Sequence, residues 1–313
     1  MMGSHDVQCK GERLAHHHEG LRSPSVLRDL WAYVEVTKPA SVLLLVFTAL
    51  ATMVIAAGGW NLPSDLLITA FAAVTLGCAG ANTITCYIDR DMDGVMERTK
   101  RRPIPSGRIR PPQRALYWGL LLAVVSLALA WSINALAFLW GLLGFVDNVV
   151  VYSLLMKRRS PLNIILGGFS GGLPVLFGWA AVTGSVNLTA LLMAAIVVLW
   201  IPNHIWNLAI FHTEDYKKVS VPMLPAVLSL EKTTRCTMAT VVLMYLCSLA
   251  LYFVGGFGVI YLGVAVVFGL VITVSNVVLA MNPSREKAWV MFKVSSPYLF
   301  VLFLAMALDV LIR

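Results

Sequence analysis

DRDMDGVMERTKRRPIPSGRIRPPQR, residues 89–114, sets three aspartates within five positions ahead of a dense run of arginine and lysine. On both sides of it the chain is apolar for about 20 residues, the length a helix needs to cross a bilayer. The stretch therefore belongs where a membrane surface meets water. Asp89 and Asp93 are four residues apart, so their carboxylates share a face if the preceding helix continues through them. Paired carboxylates beside guanidinium groups suit a divalent cation that itself holds a phosphorylated ligand, because Mg²⁺ takes one or two carboxylates plus phosphate oxygens. D-x-D-x-D-G also opens a calcium-binding EF-hand loop, but such a loop needs an acid at its twelfth position, which here is Lys100. The calcium reading fails. Orientation and lipid-headgroup contact account for several of the basic charges and leave the three acids unexplained.

Outward from this stretch, 58% of the 313 residues are hydrophobic and 13% charged, against about 25% charged in a soluble protein. The chain is expected to be all-α and polytopic, with nine spans at 40–57, 66–88, 115–132, 135–156, 162–182, 188–211, 236–254, 259–281 and 288–311. Of its 24 lysines and arginines, all but Arg313 fall on one side of that topology. The positive-inside rule then makes the N-terminal side and the candidate chemistry cytoplasmic, the C-terminus extracytoplasmic, and the chain a multi-pass plasma-membrane protein. The net charge of +8 is divided among short loops, which argues for orientation and against nucleic acid. Cys9, Cys78, Cys86, Cys236 and Cys247 have no C-x-x-C spacing, which argues against a thiolate metal site.

Residues 1–24 are expected to be a disordered polar tail without the apolar core of a signal peptide. His16, His17 and His18 fit such a tail or an expression remnant better than a metal site. From residue 25 to 313 a single membrane-embedded domain is expected, opening with an amphipathic helix in the interface. There Leu27, Leu30, Trp31 and Val34 recur at helical spacing before Pro39.

A second polar cluster lies on the sixth span. His204, Asn207, Phe211 and Asp215 fall at i, i+3, i+7 and i+11, one helical stripe, with Pro202 expected to open space beside His204. An ionisable residue within a span is a functional candidate, the alternative for His204 being a hydrogen bond to a neighbouring helix. Asp147 sits inside the fourth span and needs a partner or a polar cavity. That span ends at Lys157, Arg158 and Arg159, facing the same side. Gly167/Gly171 and Gly168/Gly172 form overlapping G-x-x-x-G pairs, which favour close helix packing; making room for a bulky planar ligand is the alternative.

Three stretches, YIDRDMDGVMERTKRRPIPSGRI (87–109), YSLLMKRRSPLNIILGGFSGGLPVLFGW (152–179) and WIPNHIWNLAIFHTEDYKKVSVPMLP (200–225), with TKP at 37–39, resemble the UbiA-type intramembrane prenyltransferases, and among them the haem O synthase branch. The resemblance implies a nine-helix UbiA-type bundle that moves a farnesyl group from farnesyl diphosphate to a vinyl group of haem B. It implies Mg²⁺ held by Asp89, Asp93 and Asp215, and phosphate oxygens held by Arg98, Arg101, Arg102, Lys157 and Arg158, with Lys218 close by. Tyr152, Trp206 and Phe211 would line the site, and Asn207 would contact substrate. His204 would orient the porphyrin, through its iron or through a propionate. Where the superfamily usually carries Asn, often followed by Asp, ahead of the first aspartate, this chain has Thr85 and Cys86. Asn82, one turn earlier, would stand in. The second acidic motif keeps only Asp215, with Val219 four residues on. The alternatives are prenylation of a quinone precursor or lipid headgroup, and an anion transporter. A transporter would gather its charges near the midplane of an inverted repeat, whereas these gather at one face.

Overall fold

The computed structural model describes residues 26–312, with side chains from residue 29. The expected polar tail at 1–24, with His16, His17 and His18, and the terminal Arg313 lie outside the described residues.

Helix α1 (Val26–Glu35) is followed by α2 (Pro39–Ala57), α3 (Ser64–Ile88), α4 (Arg90–Val95) and α5 (Gln113–Ile133). Then come α6 (Ala135–Met156), α7 (Asn163–Thr183), α8 (Leu188–Phe211), α9 (Thr213–Lys218) and α10 (Leu224–Val227). The last are α11 (Leu230–Gly255), α12 (Val259–Met281) and α13 (Arg285–Leu311). Among the described residues nine of these are long and apolar enough to span a membrane, as the hydropathy pattern predicts. The largest boundary difference is at α11, which begins at Leu230 rather than at 236. Ser229 caps it by accepting from the Lys232 amide at 3.3 Å. Its first turn is therefore polar helix standing in the interface, which an apolar run cannot reveal.

The spans close into a ring in the order α2, α3, α5, α6, α7, α8, α11, α12, α13 and back to α2, with α2 also against α7 and α8 against α13. Two approaches depend on glycine. A Cβ on Gly80 of α3 would stand 2.8 Å from the Gly119 carbonyl oxygen and 2.9 Å from the Ala123 nitrogen of α5. One on Gly172 would stand 2.8 Å from the Ala194 carbonyl oxygen of α8. The packing role expected for the glycine-rich fifth span thus holds at Gly172.

All connections that carry the candidate chemistry gather at one end of the ring: the turn before α2, the 89–112 segment, 157–162, and α9–α10. Helix α1 closes over this end. Its Ala32, with Val36 just beyond the helix, packs with Cys86, Ile104, Ile109 and Ala115, while Leu30, Trp31 and Val34 stay exposed, the apolar face expected of an interfacial helix. Arg108 holds α1 to the loop, donating to both carboxylate oxygens of Glu35 at 2.5 and 2.7 Å.

Candidate active site

The helix is interrupted at Asp89, which ends α3 and precedes α4 with ψ near 2°, yet the i, i+4 hydrogen bonding carries through it. Asp89 joins the two, its amide donating to the Thr85 carbonyl at 2.9 Å and its carbonyl accepting from the Asp93 amide at 2.8 Å. Both carboxylates therefore lie on one face, buried, and both line a small chamber of about 160 Å³. Four cations line it too: Lys38, Arg98, Arg102 and Lys157. Lys157 pairs with Asp89 Oδ2, and Arg102 donates to Asp93 Oδ2 at 2.7 Å. Lys38 donates to Thr85 Oγ1 at 3.4 Å. With four positive groups against two carboxylates, the chamber carries an excess of positive charge suited to a diphosphate.

Lys38 was given no site role from the sequence, where it is the middle residue of the TKP at 37–39. It sits in the left-handed backbone region with φ 58°, uncommon for a residue with a Cβ, and this turn delivers its side chain to the chamber. Burial pulls its ammonium below the ordinary lysine value. On Lys157 burial pulls the same way, but the Tyr152 hydroxyl and the Asp89 carboxylate outweigh it and raise its pKa. Lys157 reaches the site because the second half of α6, Asp147–Met156, is π-helical. The Lys157 amide bonds to the Tyr152 carbonyl five residues back at 2.8 Å, and the Lys157 ammonium lies 5.6 Å from the Tyr152 ring centroid. On an α-helix residues five apart would point about 140° away from each other.

Beneath the chamber, inside the ring, lies an apolar cavity of about 940 Å³, within the size range of small-molecule sites. Tyr152 and Ile205 line both spaces and mark where they meet. Gly167, Gly168 and Gly171 form part of its wall, where a Cβ would meet Tyr152, the Ile164 carbonyl and Ile201 respectively. His204, Trp200 and Phe292 line it too.

The chain matches the UbiA prenyltransferase family over residues 45–306. The chain belongs to the UbiA prenyltransferase family. It is 53% identical to the protoheme IX farnesyltransferase of Desulforudis audaxviator (strain MP104C), over 100% of this chain and 99% of that one. A solved structure of digeranylgeranylglyceryl phosphate synthase shares its fold with TM-score 0.76 at 21% identity, covering 91% of this chain and 99% of that one. A UbiA homologue from Archaeoglobus fulgidus, solved bound to DMAPP and Mg²⁺, superposes with TM-score 0.63 at 16% identity, covering 86% and 98%.

Of the residues predicted for a site, this UbiA prenyltransferase gathers Thr85, Asp89, Asp93, Arg98, Arg102 and Lys157 in the polar chamber. Asn82 and His204 line the apolar cavity, and Tyr152 joins the two. Others go elsewhere. The expected three-carboxylate metal set does not assemble, and among the described residues no three His, Cys, Asp or Glu side chains converge. Asp215 accepts instead from the Glu97 and Arg98 amides at 3.4 and 3.3 Å, anchoring the loop after α4, with Lys218 4.0 Å away and exposed. The reason is that α8 ends at Phe211 and the chain turns at His212, which breaks the stripe from His204 to Asp215. Phe211 stacks on Trp289 at 4.7 Å. Trp206 is buried among Met92, Met96 and Tyr216, and Asn207 donates to the Asn203 carbonyl at 2.7 Å. None of the three lines either space. Arg158 grips the exposed Asp91 through two bonds of 2.6 and 2.7 Å, and Arg101 is exposed with its carbonyl bound to Arg108. Asp147 finds its partner in the Ser170 amide of α7 at 2.7 Å, not in a polar cavity.

Mg²⁺ fits the residues that remain. Asp89 Oδ1 is buried with no hydrogen-bond partner, a costly state for a carboxylate oxygen that a cation would relieve, and Asp93 shares its chamber. Two carboxylates are the number a magnesium ion takes when phosphate oxygens complete its shell.

Proposed function

We propose that this membrane enzyme transfers the farnesyl group of farnesyl diphosphate to a vinyl group of haem B, giving a hydroxyethylfarnesyl product, with Mg²⁺ as cofactor. The observation that carries this reading is the two-part site: a cation-rich chamber opening at Tyr152 and Ile205 into a large apolar cavity. A diphosphate head with an apolar tail matches that division. The full-length likeness to a protoheme IX farnesyltransferase supports the planar acceptor.

Asp89 and Asp93 hold Mg²⁺, which when bound supplies Lewis-acid stabilisation of the diphosphate. Lys38, Arg98, Arg102 and Lys157 take phosphate oxygens and stabilise the negative charge that develops as the C–O bond breaks toward the diphosphate. The vinyl π pair forms the new bond to the farnesyl carbon. Water then adds to the cation left on the side chain and loses a proton. Until that step the apolar wall keeps water away, and the Tyr152 ring at the mouth offers its π face to the allylic cation. The site end faces the cytoplasm, since the loops there carry the chain's excess of lysine and arginine.

The test is turnover in lipid nanodiscs with farnesyl diphosphate, haem B and Mg²⁺, followed by mass spectrometry of the porphyrin. The expected product has gained a farnesyl group and a hydroxyl, and chelating Mg²⁺ abolishes it. Transfer to a quinone precursor or lipid headgroup with haem B untouched would sink the proposal.

A further inference from the structure

We propose that His204 is the axial ligand through which the apolar cavity receives its iron-porphyrin acceptor, with Nε2 bound to the iron and Ser295 fixing the tautomer that permits it. The proposal rests on haem B being the acceptor.

The two faces of the His204 ring are covered. Trp200 stacks on one at 4.6 Å between centroids and 19° between planes, and Phe292 lies against the other at 4.5 Å and 33°. One nitrogen is taken as well, since Nδ1 lies 2.7 Å from Ser295 Oγ. The same Oγ is 2.7 Å from the Phe292 carbonyl oxygen, to which it donates. A serine hydroxyl has one hydrogen. With that hydrogen given to the carbonyl, Nδ1 carries its own and donates to Oγ, which is the tautomer the proposal requires. The proposal accordingly places the hydrogen on Nδ1. Trp200 strengthens the frame by donating from Nε1 to the Ser295 carbonyl at 2.8 Å.

What remains of the ring is the edge that carries Nε2, and His204 lines the cavity. Nε2 has no hydrogen-bond partner among the described residues and is not among the sealed, partnerless polar atoms. In that tautomer it presents a lone pair to the cavity. A carboxylate such as a propionate needs a donor and would be repelled by a lone pair, so the edge suits a metal. An imidazole whose other nitrogen donates to a fixed oxygen is the arrangement that orients metal-binding histidines and raises their basicity. Binding is a simple coordinate bond: the Nε2 pair enters an axial position, any water held there leaves, and the oxidation state is unchanged. Cys78 is the other soft donor on the cavity wall, and its thiolate would give a different spectrum.

Protein in nanodiscs is titrated with ferric haem B and, separately, with iron-free protoporphyrin IX, followed by absorbance and electron paramagnetic resonance. The expected wild-type complex with haem has an imidazole-ligated signature. In His204→Ala that signature disappears and returns on adding imidazole, while protoporphyrin IX binds both proteins alike. Ser295→Ala is expected to weaken haem binding about 10- to 100-fold, with protoporphyrin IX again unaffected and Ser295→Thr restoring the affinity. Mg²⁺-dependent binding of a non-hydrolysable farnesyl diphosphate analogue, retained in both variants, shows that each is folded. An imidazole signature that survives in His204→Ala, a thiolate signature, or an equal loss of protoporphyrin IX affinity overturns the axial assignment and leaves the acceptor reading standing. No haem binding by the wild type overturns both.

Discussion

Charge pairs that look alike in the 89–102 and 157–158 stretches have different surroundings, and this sets their expected effects. Asp89 and Asp93 are buried against Lys157 and Arg102, whereas Asp91 and Arg158 form an exposed pair. Asp89→Asn and Asp93→Asn are each expected to lower turnover by at least about 10²-fold, the scale of losing one transition-state electrostatic contact, with the thermal midpoint little changed. Asp91→Asn should stay within a few-fold of wild type. Equal damage from Asp91→Asn would remove the basis for assigning the metal to the other two. The hydrogen bonds from Arg158 hold the Asp91 carboxyl down at about 2. Because its folded pKa is depressed, that pair's stabilisation is present above about pH 4 and is lost as pH falls through about 2. A neutral assay never titrates it. By the same division Lys157→Ala should lose diphosphate-analogue affinity and Arg158→Ala should keep it, measured by titration in the presence of Mg²⁺.

Helices approach one another through single residues, and the glycines separate contact from tolerance. Gly80→Ala and Gly172→Ala put a methyl group on a neighbouring helix backbone, and each is expected to cost about 1–3 kcal/mol of stability. A methyl group at Gly263 of α12 would meet nothing within 4 Å, so Gly263→Ala should be neutral or slightly favourable. Thermal unfolding in detergent, compared across the three variants, checks the contrast. The π-helical half of α6 belongs to the same scale. It turns Tyr152 and Lys157 toward one site, and such irregular turns recur at functional positions.

At the scale of the whole molecule, an odd number of spans puts the two termini of the chain on opposite sides of the membrane. Nine spans with the basic loops inside place the α7–α8 connection outside and the α12–α13 connection inside. A phosphatase reporter fused after Gly184 should be active in cells and one fused after Asn282 silent. The opposite result would invert the orientation proposed for the site. The ring also separates the polar chamber from the apolar cavity. Loop residues close the polar chamber at one end, and span residues line the cavity below it.

The number of spans among the described residues, their order, and the shared face of Asp89 and Asp93 were all legible in the sequence. Bilayer thickness imposes a length on every apolar run, and the i, i+4 spacing of Asp89 and Asp93 puts both on one face without any help from packing. Local signals failed where position depends on a bend or on a partner far along the chain. The stripe from His204 to Asp215 assumed one continuous helix, and the turn at His212 broke it. Arg158 looked equivalent to its neighbour Lys157, but helix winding sends one to the chamber and the other to Asp91. Lys38 enters the chamber through a left-handed turn that no residue pattern announces. Ser295 lies 91 positions from His204, and only the packing of α8 against α13 puts its hydroxyl beside the imidazole. Spacing along a helix is a local property that the chain carries with it, whereas which buried polar groups meet is decided by the closing of the ring.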